Sequence, residues 1–320
     1  MCTEPKLGDV GFGLESMAPA AAGRLARLSA HVRGSAAAAT AVATVPGAEL
    51  EGRGGRMGGQ LGSPGARSDD PRDPTLEVGT VKLYEDERIR VWDMCVPPGA
   101  DTSFHRHVHD YVHVQVQAPG TPGLCTVENV DVATGAVTAS GEVSEVGAKA
   151  CAFRAASEDN PAVHRLSNPP GAEANYRQIL IEFLEPEPRH SQEEVEECLS
   201  NAALTTEVGT GLLFQNHRCR IHEFFLPPHS GQDLPYHHHT LPYFFVNVCG
   251  GPNAPGVGFH GLAGFTDRTE TDTFQLWSQD RDMSFQNVPF GGFVDGEAVH
   301  VDKVWNDSDQ PYQSFIVELL

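Results

Sequence analysis

Two short histidine motifs set in one local frame constrain this chain more than any other feature. One reads Gly231-x5-His237-x-His239-x3-Tyr243-x6-Gly250, and the other reads Gly99-x5-His105-x-His107-x3-Tyr111. Residues two apart on a strand face the same side. Each pair therefore presents two imidazoles at a fixed separation with the tyrosine on the same face, and His238 points away. That is a metal-ligand geometry, and a third ligand must come from elsewhere in the fold. His300 is the natural candidate in the second half, with His164 in the corresponding place downstream of the first motif. His164 and Tyr176 are spaced as His300 and Tyr312 are, with an offset of 136 residues, and Glu182 and Glu318 keep that offset. The chain is an internal duplication.

From Leu76 the texture is that of short strands separated by Pro and Gly: TVKLY, RIRVWDMCV, PPGADTS, FHRHVHDYVHVQV. Read as one strand, the last run puts His105, His107, His109, Tyr111 and His113 on one face, and Arg106, Val108, Asp110 and Val112 on the other. One ion cannot take four histidines, so His109 and His113 are expected to line the pocket or to be hydrogen-bonded. Asp110 is a carboxylate near the motif, but its parity is wrong without a bulge. The segment ENVDVATGAVTASGEVSEVG predicts hairpins turning at Ala133-Thr134-Gly135 and near Gly141. SQEEVEECLSNA, with a serine able to cap and acids in the first turn, predicts a short linker helix. Arg88-x-Arg90 aligns with Arg218-x-Arg220, and these arginines are expected in structural ion pairs at the barrel rim rather than as substrate carboxylate clamps, while Glu182 and Glu318 are expected to be partnered structural carboxylates rather than catalytic ones.

Four segments follow: a low-complexity, disordered extension over 1–74, a first barrel over 75–187, a linker over 188–204 and a second barrel over 205–320. The extension is rich in Ala, Gly and Arg. It is acid-free over AAAGRLARLSAHVRGSAAAATAVA, as a transit peptide would be, although Glu4, Asp9 and Glu15 precede that run. Net charge is −21, and up to Pro74 eight basic residues balance eight acidic ones, so the negative excess belongs to the barrel region. Such a field disfavours nucleic acid and anionic membranes as partners and favours cations. The alanine-rich run Ser35–Val45 is too short to span a bilayer. Seven cysteines without a Cys-x-x-Cys pair fit a reducing compartment, with Cys95 and Cys219 as buried small hydrophobes. The expected location is the cytoplasm, or an organelle if the extension is a transit peptide.

These motifs resemble the two-part signature of the cupin superfamily, G-x5-H-x-H-x3-E-x6-G followed by H-x3-N. The second half fits the first part at every position except the glutamate, which is Tyr243. The first half keeps Gly99, His105 and His107, carries Tyr111 for the glutamate, and has a complete second part, His164-x3-Asn168. In the second half the fourth residue after His300 is Val304, with Asn306 nearby. The resemblance covers roughly residues 75 to 320. It implies an all-β protein of two double-stranded β-helix, jelly-roll-like barrels, a bicupin.

It also implies a divalent metal in each half, held by His105, His107 and His164 and by His237, His239 and His300. Three imidazoles leave open coordination positions, as a catalytic site requires. Iron(II) is favoured, with zinc, manganese or nickel as alternatives. Tyr111 and Tyr243 stand where a fourth ligand would be and are assigned to hydrogen-bond the substrate. The resulting expectation is an iron-dependent dioxygenase acting on a small organic molecule. A cupin isomerase or lyase using another metal, and a non-catalytic ligand-binding bicupin, are kept as alternatives. The apolar run His237, His239, Leu241, Tyr243, Phe245 makes the second half the better catalytic candidate, and barrel edges leave room for a homo-oligomer.

Overall fold

In the larger sheet of each half, alternate residues face two different cores, so both faces are buried. The computed structural model describes residues 70–116, 125–143, 151–249, 257–261, 274–276 and 283–320. The expectations of a disordered extension and a transit peptide fall on residues up to 69 and lie outside the described set. The first half contains β1 (Val81–Glu85), β2 (Ile89–Val96), β3 (His105–His107), β4 (Tyr111–Gln115), β5 (Cys125–Val130), β6 (Val137–Val143), β7 (Cys151–Arg154), β8 (Ala162–Ser167) and β9 (Tyr176–Phe183). They form two antiparallel sheets, in the orders β1-β2-β9-β4-β7 and β3-β8-β5-β6.

After helix α1 (Gln192–Ser200) the pattern repeats with β10 (Gly211–Gln215), β11 (Cys219–Leu226), β12 (His237–His238), β13 (Tyr243–Cys249), β14 (Val257–Gly261), β15 (Phe274–Leu276), β16 (Met283–Gln286), β19 (Val301–Asn306) and β20 (Tyr312–Leu319). The sheet orders are β10-β11-β20-β13-β16-β15 and β12-β19-β14, with a small hairpin of β17 (Phe293–Val294) and β18 (Glu297–Ala298) between. The architecture is all-β, two double-stranded jelly-roll-like halves, as expected.

Parity assigns the cores. On β2 and β9 the odd residues Ile89, Val91, Ile179, Ile181 and Phe183 join Cys219, Ile221, Phe315, Val317 and Leu319 of the second half in one shared cluster. The even residues Trp92, Met94, Tyr176 and Leu180 fill the first barrel, and Phe224, Tyr312 and Ile316 fill the second. The two large sheets thus pack back to back, each buried large apolar side chain contributing about 1.5–3 kcal/mol. The packing is repeated about an approximate twofold relation. Tyr84 lies against Phe285 at 5.9 Å, and its counterpart Phe214 stacks on Phe153, the counterpart of Phe285, at 5.4 Å. Arg218, buried at this junction, reaches Asp110 at 3.2 Å and also donates to the Glu185 carbonyl. Asp110 is therefore an inter-barrel ion-pair partner, and it also accepts from the Ala156 N–H at 3.0 Å.

The linker helix forms with a complete capping box, Ser191 and Glu194 each bonding the other's backbone N–H. The hairpin turn lies at Asp131–Gly135, where Gly135 has φ +68, but Gly141 sits inside β6 opposite Val127, so no second turn forms there. Cys219 is buried as expected, whereas Cys95 is half-buried, and the five cysteines with described side chains are free thiols. Among the described residues no helix is long and apolar enough to cross a membrane.

The single run FHRHVHDYVH does not form one strand. β3 belongs to the smaller sheet and β4 to the larger, and the chain crosses between them at Val108–Asp110. His109 sits in that crossover, which breaks the one-face reading of the five residues.

Asn168 and Asn306 are the clearest structural equivalents. Each is buried and donates from Nδ2 to the end of the preceding long strand and to the following loop: Asn168 to Val96 O (2.8 Å) and Ala174 O (3.0 Å), and Asn306 to Leu226 O (3.2 Å), Pro227 O (3.1 Å) and Gln310 O (2.8 Å). Removing such a donor leaves buried carbonyls unpaired. Asn306→Ala is expected to destabilise the chain by about 2–3 kcal/mol, and Asn306→Asp, which keeps the shape but cannot donate, by at least as much. Urea unfolding midpoints check this; an unchanged midpoint in both variants would contradict it.

Candidate metal centres

Each centre sits where the short β3 or β12 pairs with the long strand that returns beside it. Gly99 and Gly231 set the approach, with φ +76 and +94, a region costly for any residue with a side chain. At Gly231 a Cβ would also come within 3.0 Å of the Trp305 backbone.

In the first half, β3 pairs with β8 so that His105 is directly opposite His164. The ligand atoms of His105, His107 and His164 all lie within 4.8 Å of one another. His105 Nδ1 lies 3.0 Å from the Ser103 carbonyl, which can only accept; Nδ1 therefore carries the proton and Nε2 offers its lone pair. That Nε2 and both nitrogens of His107 are buried without a hydrogen-bond partner. Burial lowers all three imidazole pKa values, His105 to about 4, with mutual repulsion adding to the effect at His107 and His164. Three converging neutral imidazoles, those of His105 and His107 buried with unpartnered nitrogens, fit a divalent metal ion.

In the second half the structure corrects the expected trio. The register of β12 with β19 puts Asp302, not His300, opposite His237, and His237, His239 and Asp302 form the close group. Asp302 Oδ1 is 2.8 Å from His237 Nε2 and 3.8 Å from His239 Nε2. Burial alone would raise the Asp302 pKa, but the two imidazoles outweigh it and hold the carboxyl well below its ordinary range. Burial lowers the His239 pKa against the pull of Asp302, and its Nδ1 is buried without a partner. This donor set also fits a divalent ion.

His300 lies one residue before β19 with φ +51, and its carbonyl accepts from the His239 N–H at 3.1 Å. The reason for the shift is loop length. From the equivalent asparagines, the loop to Tyr176 is two residues longer than the loop to Tyr312, so Asp302 rather than His300 stands at the count from its asparagine that His164 has from Asn168. Asn306 carried the right signal, because counting back over three residues from it reaches Asp302, as counting back from Asn168 reaches His164. His238 points away as expected; its Nδ1 accepts from the Ala203 N–H (3.1 Å) and its Nε2 donates to the Gly292 carbonyl (2.8 Å).

The two tyrosines hold equivalent places. Tyr111 stacks on His107 and Tyr243 on His239, each with ring centres 4.0 Å apart and planes at 16°. Burial pushes the Tyr111 phenol up to about 12, so it stays a neutral donor. Each tyrosine is the centre of a row across the large sheet: Arg90–Glu182–Tyr111–Arg154 in the first half and Arg220–Glu318–Tyr243–Gln286 in the second. Glu182 accepts from Trp92 Nε1 at 2.7 Å with Arg90 at 3.6 Å. Glu318 accepts from Arg220 at 2.8 Å with His222 Nε2 at 3.1 Å. The arginine and glutamate pairs are thus internal counter-ions. His113 lies on β4 with its imidazole pushed down to about 4 by burial.

Beside the second centre lies a cavity of ≈ 300 Å³ bordered by His237, His239 and Asp302, by Tyr243 and Phe245, and by residues of neighbouring strands. Leu241, expected on this wall, is buried in the turn before β13 and does not border the cavity.

No family model and no curated protein matches the chain. Solved structures similar to it include a cupin domain from Bordetella pertussis Tohama I, 22% identical over 32% of this chain and 88% of that one, with a TM-score of 0.24. AerE from Microcystis aeruginosa is 9% identical over 75% and 96% of the two chains, with a TM-score of 0.38. A variant oxalate decarboxylase from Bacillus subtilis is 12% identical over 73% and 69%, with a TM-score of 0.35. Likenesses this distant say nothing of activity. The chain's own duplicated two-sheet halves, each opening a histidine motif at Gly99 or Gly231 and closing it at Asn168 or Asn306, give it a duplicated, cupin-like barrel fold.

Proposed function

We propose that the chain is a metal-binding bicupin acting as a non-haem iron(II) dioxygenase on a small organic substrate, with the second half as the working site. The observation that carries this reading is the donor set His237, His239 and Asp302 at the edge of a ≈ 300 Å³ cavity. Two imidazoles and a carboxylate are the donors of the non-haem iron(II) facial triad. Iron(II) held there supplies open coordination positions for dioxygen and substrate.

The remaining work belongs to the chain's own side chains. Phe224, Phe245, Val304 and Ile316 give the cavity an apolar wall that excludes water and packs a small organic molecule. Gln286 borders the same space with a buried, unpartnered Oε1, an acceptor for a substrate hydroxyl or amide. Tyr243 braces the His239 ring by stacking, and we assign its hydroxyl to the substrate. Glu318 is already bonded to Arg220 and His222 and serves as a counter-ion, which disfavours an acid–base isomerase built on that carboxylate.

Three outcomes test this. Asp302→Ala should lose about one metal equivalent per chain by elemental analysis after iron reconstitution, while His300→Ala should keep it. The reverse result would return the ligand role to His300. Nitric oxide added to the iron(II) form should give a high-spin iron–nitrosyl paramagnetic resonance signal, which His237→Ala should diminish; its absence in the parent protein would sink the dioxygenase reading.

The third outcome concerns pH. In chelator-treated protein, His105 and His113 titrate at about 4 in the folded state against about 6.5 in the unfolded chain. Over that window the unfolded chain binds more protons, so stability present at neutral pH is progressively lost as pH falls from about 6.5 toward 4. Urea midpoints should drop between pH 7 and pH 5, and a flat profile would contradict the buried, neutral assignment.

A further inference from the structure

The two centres differ in charge as well as in ligands, and the difference is written in one row of side chains. In the β4–β7 register Arg154 is directly opposite Tyr111, and facing residues of an antiparallel pair leave the sheet on the same side. Tyr111 stacks on His107, so Arg154 emerges on the face that carries the first centre. Arg154 is solvent-exposed and, among the described residues, forms no hydrogen bond or ion pair. The acid of that row, Glu182, is already engaged by Trp92 and Arg90.

At the equivalent position the second half has Gln286, and in place of His164 it has Asp302. Among the described residues, the first half therefore sets an exposed cation on the face of its neutral histidine trio, and the second sets an acid, Asp302, beside its histidine pair with a glutamine at the place of Arg154. A guanidinium is a fork that matches a carboxylate in a two-point contact.

We propose that the first half is an anion-selective site, in which Arg154 captures a small carboxylate beside His105, His107 and His164, while the second half takes an uncharged molecule. This rests on the metal-centre reading of the three histidines and adds what that centre takes. Arg154 acts here as a specificity-determining residue. The carboxylate binds through one end to the guanidinium and presents its other end to the imidazole trio. In the second pocket Asp302 repels the same ligand.

Calorimetric titration with malonate and with its neutral isostere malonamide tests the assignment on the full chain, both iron-loaded and chelator-treated. Malonate should bind at least tenfold more tightly than malonamide. Arg154→Gln, which copies the second half, should weaken malonate at least tenfold and leave malonamide unchanged, and Arg154→Lys should restore part of the loss. Malonate binding that is absent, or equal in the parent and Arg154→Gln proteins, would overturn the proposal. Metal content is measured on the same samples. A chain that holds no metal yet binds malonate through Arg154 would refute the metal reading and leave the anion site standing.

Discussion

Burial of the large sheets on both faces is the constraint on which the rest of this structure depends. In β2, β9, β11 and β20 odd residues enter the core shared by the two halves and even residues enter a barrel. A slip of one residue would move Glu182 or Glu318 into the shared apolar core and expel Ile181 or Val317 from it, so register is tightly specified. The same parity delivers Tyr111 and Tyr243 to the barrel interiors beneath the histidine pairs. Site geometry is thus a consequence of the packing between halves, which Tyr84, Phe153, Phe214 and Phe285 repeat on both sides of the junction.

Charge inside the barrels is balanced locally. Glu182 and Glu318 are each set opposite an arginine on the adjacent strand, and breaking such a buried pair typically costs about 3–5 kcal/mol because one charge is left uncompensated. What escapes this balance differs between the halves: Arg154 in one, Asp302 in the other. Duplication preserved the sheet order, the stacked tyrosines and the asparagine latches. The halves differ where Arg154 of one corresponds to Gln286 of the other, and His164 to Asp302.

Most of the fold was legible because its signals are local. Alternation of apolar residues, the Pro and Gly punctuation and the capping serine at 191 each report on a few neighbouring residues, and the repeat of glycine, histidines and tyrosine announces the duplication. The expected pairs His105–His107 and His237–His239 come together because each is close in sequence. Where the reading failed, the missing information was non-local. Alternation alone puts His109 on a common face with His105 and His107, because nothing in FHRHVHDYVH announces that the chain changes sheets at Val108–Asp110.

The sequence by itself determined that this is a duplicated all-β chain with two histidine pairs, arginines and glutamates at matching places in both halves, and a helix between the halves. Only the tertiary structure decided which acid or imidazole stands beside His237 and His239, since a two-residue difference in loop length is invisible until strands are paired, and the pairing of β12 with β19 brings Asp302 to His237. It also decided that Asp110 belongs to Arg218 of the other half and that Arg154 stands beside Tyr111. These are contacts between residues far apart in the chain, and which of them form depends on how strands pair and sheets pack.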